Sequence, residues 1–105
     1  MNIVGISACT SGIAHTYIAK EKLIKTGQEF GHNVRIETQG TIGIENELTK
    51  QEIDAADLVI IAADIKISGK ERFKGKRLIE IPTNIAIKAP KQLYKKIESE
   101  LNLNK

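Results

Sequence analysis

Two short apolar segments constrain the fold of this chain more than any other feature of its sequence. "NIVGIS" spans residues 2–7, and "DLVIIAAD" at residues 57–64 contains the most continuous apolar run in the chain. Segments of this length, rich in β-branched residues, are typical of strands that are covered on both faces, as in parallel sheets. The sequence therefore predicts a parallel sheet with helices packed on both sides.

The segment between these two strands has the periodicity of a helix followed by a third strand. "IAHTYIAKEKLIKTGQEFG" begins at Ile13 and places Tyr17 and Ile24 on the same face as Ile13, with charged residues between them. This spacing predicts an amphipathic helix, and Gly31 is a suitable residue to end it. Residues 32–40, "HNVRIETQG", then predict a strand.

The middle of the chain contains a recognisable helix start and a long polar loop. Thr49 followed by Glu52 is a capping-box pattern, which predicts a short helix through about Ala56. Residues 65–76 contain two glycines and several basic residues, so they are predicted as a loop with a helical turn at 70–73.

The C-terminal part completes an alternating order of strands and helices. "RLIEI" at 77–81 predicts a fourth strand, and "APKQLYKKIESELNL" predicts a last helix with its proline near the first position. This order predicts a single domain over residues 1–105. We expect a Rossmann-like, doubly wound α/β domain of three layers around a central sheet of four parallel strands.

Composition excludes several classes of protein. The apolar runs are far shorter than the roughly 20 residues that cross a bilayer, and the N-terminus does not resemble a signal peptide, so a cytoplasmic protein is expected. The net charge of +3 comes with only four scattered aromatic residues, which disfavours nucleic-acid binding. A single cysteine cannot form an internal disulfide, and two distant histidines show no zinc-binding pattern, so neither a metal nor a cofactor is predicted.

That single cysteine, Cys9, lies where the first strand meets the first helix. In doubly wound sheets, ligands bind beyond the carboxyl ends of the strands, where the strand order reverses. The free backbone N–H groups of the turn and the helix dipole form a cradle for an anion, and the same field favours a thiolate. Cys9 is therefore predicted to be a nucleophile beside a phosphate-sized site. The residues predicted to hold the phosphate are Thr10, Ser11, Gly12, Ile13, Ala14, His15 and Thr16.

The spacing of this turn is similar to that of cysteine phosphatases, with one difference. In those enzymes an arginine follows the cysteine after five residues, and here His15 occupies that place, followed by Thr16. Arginine clamps the oxygens of the transferring group with two parallel hydrogen bonds, whereas histidine is a weaker, titratable donor. We therefore predict a site that accepts a phosphoryl group and passes it on, with His15 as a candidate phosphate contact.

The turn and three later segments resemble one family. "CTSGIAHTY" resembles "CPTGIAHT", the phosphorylation loop of the fructose-type IIB domains of the bacterial phosphoenolpyruvate-dependent sugar phosphotransferase system. "VRIETQG" at 34–40, "ADLVIIAAD" at 56–64 and "ERFKGK" at 71–76 also resemble family segments, in the family's order. Thr10 stands in place of the family's usual proline, which adds a potential N–H donor to the loop.

The resemblance implies a function and partners. Cys9 would accept a phosphoryl group from a phosphohistidine on a IIA partner. It would pass the group to a sugar, fructose in most of the family, at the membrane-embedded IIC transporter. The domain would thus be a cytoplasmic phosphotransferase that associates transiently with the inner face of the membrane through IIC.

Four further residues are secondary candidates, and two other functions stay open. Glu37 and Gln39 end the second strand, Asp64 ends the central strand, and Arg72 lies in the basic loop. Each has two possible roles: it takes part in the phosphate site, or it only ends a strand, caps a turn or lies in a solvated loop. The alternatives to the carrier are a low-molecular-weight cysteine phosphatase or related thiol reductase, and a module that senses phosphorylated ligands without turnover.

Overall fold

The computed structural model describes residues 1–9, 13–40 and 43–100 of the chain. The five strands are β1 (Asn2–Ala8), β2 (Asn33–Gly40), β3 (Gly43–Glu45), β4 (Leu58–Ala63) and β5 (Leu78–Ile81). The four α-helices are α1 (Ile13–Glu29), α2 (Lys50–Ala55), α3 (Thr83–Lys88) and α4 (Pro90–Glu100), and a 3₁₀ helix spans Lys70–Phe73. Within the described ranges, no helix is both long enough and apolar enough to cross a membrane.

The strands form one sheet in the order β3-β2-β1-β4-β5. β1 pairs in parallel with β2 on one side and with β4 on the other, and β5 is parallel to β4. After β1 the chain forms β2 and β3 on one side of β1 and then crosses to form β4 and β5 on the other side. The strand order therefore reverses between β1 and β4. The predicted α/β fold with four parallel strands is confirmed, and β3 adds a fifth, antiparallel strand beside β2.

Side chains alternate between the two faces of the sheet and build two apolar layers. One face packs against α1, α3 and α4, and its buried members include Ile3, Leu23, Ile36, Ile60 and Tyr94. The other face packs against α2 and the 3₁₀ helix, and its buried members include Val4, Ile6, Ile53, Ile61 and Phe73. The sheet is therefore covered on both faces, as the apolar segments predicted.

Close packing on the first face depends on Gly27 in the last turn of α1. A Cβ atom at this position would lie 2.4 Å from Val34 Cγ2 and 2.8 Å from the Tyr94 hydroxyl oxygen. Tyr94 is fully buried and donates its hydroxyl hydrogen to the Leu23 carbonyl, 2.7 Å away. A glycine is therefore needed for α1 to approach β2 and α4 this closely.

Local sequence signals located most of these elements correctly. The capping box is present, because Glu52 N–H donates to the Thr49 hydroxyl and Thr49 N–H donates to the Glu52 carboxylate. The helical turn at 70–73 is confirmed as the 3₁₀ helix, and α1 ends two residues before Gly31.

Two elements were not predicted, β3 and α3. β3 is three residues long and is defined by its pairing with the end of β2, so no local periodicity marks it. α3 is six residues long, and no side chain at its own N-cap, Pro82, caps it. Its first N–H is capped instead by Asp64, which lies 19 residues earlier, so the signal that starts this helix is tertiary.

Candidate functional site

The carboxyl ends of β1 and β4 bring two side chains together at the point where the strand order reverses. Ala8 and Ala63 are partners in the parallel register, and the N–H of Asp64 donates to the Ala8 carbonyl at 3.0 Å. Cys9 follows β1 directly and Asp64 follows β4 directly, so the register sets them side by side. This is the edge of the sheet at which doubly wound domains bind their ligands.

Cys9 contacts one side chain from α1 and one from the end of β4. Its Sγ lies 3.0 Å from His15 Nδ1, in the first turn of α1, and donates to Asp64 Oδ2 at 3.1 Å. Cys9 is 4% exposed, His15 is half-buried and Asp64 is exposed, so the three line a path from the sulfur to solvent. Cys9 and His15 therefore lie side by side, and Asp64 joins them.

Thr83 holds the Asp64 carboxylate in place. The Thr83 N–H donates to Oδ1 at 3.0 Å and its hydroxyl donates to Oδ2 at 2.5 Å. The Thr83 hydroxyl bond and N–H bond are the main causes that hold the pKa of Asp64 below its ordinary value. Burial opposes them, and Cys9 and the charge of His15 add to the lowering. Asp64 is therefore ionised and oriented at neutral pH.

The first turn of α1 is fastened to β1 by a buried hydrogen bond. The Ser7 hydroxyl donates to the Thr16 carbonyl at 2.8 Å, and both residues are buried. This bond sets where α1 begins relative to the end of β1, and so places His15 over Cys9. Of the other residues predicted to hold phosphate, Ala14 is exposed and Ile13 begins α1, whereas Thr10, Ser11 and Gly12 lie outside the described residues.

Glu37 and Arg72 form a separate ion pair on the α2 side of the sheet, in which Glu37 is fully buried and Arg72 is half-buried. Arg72 Nη1 and Nη2 donate to the two Glu37 carboxylate oxygens at 2.8 and 3.0 Å, and Leu48 N–H adds a third bond at 3.0 Å. Burial would raise the pKa of Glu37, but the bonds from Arg72, Gln39 and Leu48 outweigh it and leave the pKa below its ordinary value. The positive charge of Arg72 is therefore largely neutralised by Glu37.

Gln39 connects this ion pair to the segment that follows β4. Its amide nitrogen donates to Glu37 at 2.8 Å and to the Ser68 carbonyl at 2.9 Å, while its amide oxygen accepts from Ser68 N–H at 2.8 Å. These contacts fix the loop that leaves Asp64. None of the hydrogen bonds that the structure records for Glu37, Gln39 or Arg72 reaches Cys9 or His15, so these three secondary candidates form a supporting network.

Thr83 and Ser7 are the residues of the site that the sequence did not indicate. Thr83 follows β5 and Pro82 at the same edge of the sheet as Asp64, which is the signal that could have found it. Ser7 is a polar residue near the end of β1, which is otherwise apolar after its exposed first residue, so its burial required a hydrogen-bond partner.

The site also contains a set of metal-ligating atoms. The Cys9 thiol, a His15 ring nitrogen and an Asp64 carboxylate oxygen all lie within 4.8 Å of one another. No metal was predicted, because the two histidines are far apart in sequence and show no zinc-binding pattern. The arrangement offers a nucleophile, a proton-transferring ring and an anchored carboxylate at one point.

Comparison with known proteins identifies IIB subunits of the PTS system, although the sugars in their names differ. A family model described as "PTS system, Lactose/Cellobiose specific IIB subunit" matches residues 4–96. The chain is 43% identical over 99 residues to the PTS system fructose-like EIIB component 2 of Escherichia coli K12, covering 94% of this chain and 93% of that protein. It is 42% identical over 94 residues to the PTS system fructose-specific EIIABC component of Bacillus subtilis, covering 90% of this chain but 15% of that longer protein.

Solved structures agree with this result. The solution structure of an Enzyme IIB subunit of the PTS system from Escherichia coli K12 superposes with a TM-score of 0.90 at 36% identity, over 96% of this chain and 94% of that one. The crystal structure of a domain of the fructose-specific IIABC component from Borrelia burgdorferi has a TM-score of 0.84 at 45% identity, over 90% and 89% of the two chains.

Proposed function

This chain belongs to the IIB subunits of the sugar phosphotransferase system, of the fructose type, and we propose that the sulfur of Cys9 carries the phosphoryl group that the subunit transfers. The observation that carries the proposal is the position of the Cys9 sulfur. It lies at the strand-order reversal, just before the N-terminus of α1, with His15 Nδ1 at 3.0 Å. A thiolate is a strong nucleophile, and helix N-terminal N–H groups stabilise phosphoryl oxygens.

In the proposed first step, the Cys9 sulfur attacks the phosphorus of a phosphohistidine on a IIA partner. The S–P bond forms as the N–P bond breaks, and the electron pair of that bond stays on the donor imidazole. The thiol hydrogen, which is donated to Asp64 Oδ2 before the reaction, turns to His15 Nδ1 at 3.0 Å from the sulfur, and the proton passes to that nitrogen. The protonated ring can then donate a hydrogen bond to a phosphoryl oxygen, which a neutral apolar side chain could not do.

In the proposed second step, a sugar hydroxyl attacks the phosphorus while IIC holds the sugar. The O–P bond forms, the S–P bond breaks, and the electron pair returns to the Cys9 sulfur, which regains its proton from His15. The hydroxyl proton of the sugar passes to solution. Residues 10–16 would hold the phosphoryl oxygens through their N–H groups in both steps.

Exposed apolar side chains around the site support a contact with protein partners. Ile65 directly follows Asp64, Ile18 lies one helical turn after His15, and Ile85 lies in the first turn of α3 after Thr83; all three are exposed. Exposed apolar groups around a reactive centre favour a protein surface as the ligand. We propose the IIA domain and the membrane-embedded IIC transporter as these partners, with the domain acting in the cytoplasm.

The names of relatives point to the same partners and to the sugar. Relatives named EIIABC and EIIBC are several times longer than this chain, which spans 15% of the one and 22% of the other. In such proteins the IIB unit is covalently joined to IIC. We propose fructose as the sugar because the similar full-length relative is named fructose-like.

The decisive experiment is phosphorylation from phosphoenolpyruvate through the general phosphotransferase proteins and a cognate IIA. Mass spectrometry should find one phosphoryl group on the peptide containing Cys9. Cys9→Ser should abolish it, whereas Asp54→Asn, an exposed carboxylate on α2, should leave it unchanged. A phosphoryl group that persists in Cys9→Ser would contradict the proposal. Rapid hydrolysis of an aryl phosphate by the protein alone would support a phosphatase instead.

A further inference from the structure

We infer that Cys9, His15 and Asp64 form a binding site for a zinc-class divalent ion, and that this ion and the phosphoryl group compete for the Cys9 sulfur. The inference starts from the mutual distances of the three ligand atoms, all below 4.8 Å. Thiolate, imidazole and carboxylate are the three kinds of ligand that zinc uses in proteins. Three protein ligands with one open position are the arrangement of zinc sites that also bind water or substrate.

The distances fit such an ion after a small adjustment. Zinc binds sulfur at about 2.3 Å and nitrogen or oxygen at about 2.0–2.2 Å, so ligand atoms around a tetrahedral ion lie roughly 3.5 Å apart. In the structure, Sγ lies 3.0 Å from His15 Nδ1 and 3.1 Å from Asp64 Oδ2. Each of these two distances would lengthen by about half an ångström when the ion binds. Asp64 is exposed, which gives the ion a route from solvent.

Thr83 supplies the support that a metal-binding carboxylate needs. It donates its N–H to Oδ1 and its hydroxyl to Oδ2, so Asp64 is oriented before any ion arrives. Hydrogen bonds of this kind to a ligating carboxylate typically change metal affinity by about 10- to 100-fold.

The ligand set selects the class of ion. Sulfur and imidazole favour zinc and similar transition metals, whereas Mg²⁺ and Ca²⁺ require several oxygen ligands and would find one carboxylate here. Binding replaces the thiol proton: the S–H bond breaks, an S–metal bond forms and one proton is released to solution. The thiolate and carboxylate together neutralise the two positive charges of the ion.

The consequence for phosphoryl transfer rests on the proposed function. A sulfur bound to zinc has its nucleophilic electron pair in the metal bond, so it cannot attack phosphorus. A phosphorylated sulfur in turn places negatively charged oxygens where the metal would lie. Zinc would therefore inhibit phosphorylation of Cys9, and phosphorylated protein would not bind zinc.

Binding is tested with the reduced full chain and Co²⁺, a spectroscopic substitute for zinc. We expect a thiolate-to-cobalt absorption band that saturates at one ion per chain and disappears when Zn²⁺ is added. Cys9→Ser should lose the band, and His15→Asn and Asp64→Asn should each weaken cobalt binding at least about tenfold. Asp54→Asn, which removes an exposed carboxylate on α2, is the matched control and should bind as the original chain does.

Two results would overturn the inference. One is the absence of a thiolate–cobalt band. The other is a band with the same affinity in His15→Asn and Asp64→Asn as in the original chain, which would mean that the thiol binds metal alone. Circular dichroism shows whether each variant is folded. If Asp64→Asn unfolds because α3 loses its cap, His15→Asn decides, since the bonds recorded for His15 among the described residues go to the side chains of Cys9 and Thr83.

Competition is tested separately in the phosphorylation assay. Zn²⁺ should block phosphoryl acceptance, a chelator should restore it, and Mg²⁺ at the same concentration should have no effect on this step. Phosphoryl acceptance that continues with Zn²⁺ saturating the site would refute the competition. If the chain accepts no phosphoryl group even without metal, the proposed function fails, while the cobalt titration still tests the metal site.

Discussion

The Cys9 thiol donates a hydrogen bond to the Asp64 carboxylate across the ends of two neighbouring parallel strands, with 3.1 Å between Sγ and Oδ2. This hydrogen bond must break before the sulfur can attack a reagent, and a bond to a charged acceptor is stronger than one to a neutral acceptor. Asp64→Asn keeps the shape and removes the charge, so we expect alkylation of Cys9 by iodoacetamide at neutral pH to become about three- to tenfold faster.

Asp57→Asn is the matched control for this experiment. Asp57 is an exposed carboxylate at the opposite end of β4, where it accepts a hydrogen bond from Asn2 N–H at 2.8 Å. Its removal should leave the alkylation rate unchanged. An equal acceleration in both variants, or none in Asp64→Asn, would show that the Asp64 charge does not govern the thiol.

Thr83→Val tests whether Thr83 orients Asp64. Valine keeps the branched shape and the N–H but removes the hydroxyl that donates to Oδ2. We expect the pKa of Asp64 to rise towards its ordinary value, because its largest lowering cause is lost. Stability should fall by about 1 kcal/mol, which is less than the roughly 1.5–3 kcal/mol typical of hydrogen bonds to charged groups, because Asp64 is exposed. NMR titration of the Asp64 carboxyl measures the shift, and Thr83→Ser should restore it.

The parts of the fold that follow local rules were predictable from the sequence. The apolar runs that became β1 and β4, the capping box at Thr49 and the helix stop at Gly31 each act within a few residues, so periodicity and capping patterns locate them. β3 and α3 depend on partners far away in sequence: β3 on the end of β2, and α3 on the Asp64 cap. Nothing within those short segments indicates them.

The candidate site was predictable in part for the same reason. Cys9 and His15 are only six residues apart, so the sequence alone indicates that they lie near each other. Asp64 was placed at the correct edge by the topology, but its contact with Cys9 depends on the register of β1 against β4, which pairs Ala8 with Ala63. The position of Thr83 in the site could be predicted only by knowing where the chain runs after β5. Glu37 and Arg72 are 35 residues apart, and only the packed structure shows that they neutralise each other.

Arg72→Met tests the Glu37–Arg72 ion pair as a structural element. The Glu37 side chain is fully buried, and the variant leaves it without its bidentate partner. We expect a loss of about 3 kcal/mol in the free energy of unfolding, measured with urea, as for other buried pairs broken on one side. Glu37→Gln combined with Arg72→Met should recover part of it, because the double variant leaves no buried charge. A loss below about 1 kcal/mol in Arg72→Met would be the value of a surface pair and would contradict this role.

The same ion pair should make stability depend on pH in the acid range. The pKa of Glu37 is lower in the folded protein than its ordinary value of 4.5. Its contribution is therefore fully present above that value and is lost as the pH falls through the lower folded pKa. Glu52 and Asp64 also have lowered pKa values, so they too reduce stability in acid. The contribution of Glu37 is therefore the difference in the pH dependence of the unfolding free energy between the original chain and Arg72→Met. Urea unfolding at a series of acidic pH values should show a smaller decline in the variant.

Gly27→Ala tests how closely α1 packs on the sheet. Alanine is favoured over glycine inside a helix by about 1 kcal/mol, so on propensity alone the variant would be more stable. The added Cβ would lie 2.4 Å from Val34 Cγ2 and 2.8 Å from the Tyr94 hydroxyl oxygen, and the Tyr94 ring is fixed by its bond to the Leu23 carbonyl. Overpacking of this kind costs about 1–3 kcal/mol, which exceeds the gain in propensity. We therefore expect a lower melting temperature in Gly27→Ala and almost no change in Gly40→Ala, where a Cβ meets nothing within 4 Å. A more stable Gly27→Ala would mean that α1 can move away from β2 at little cost.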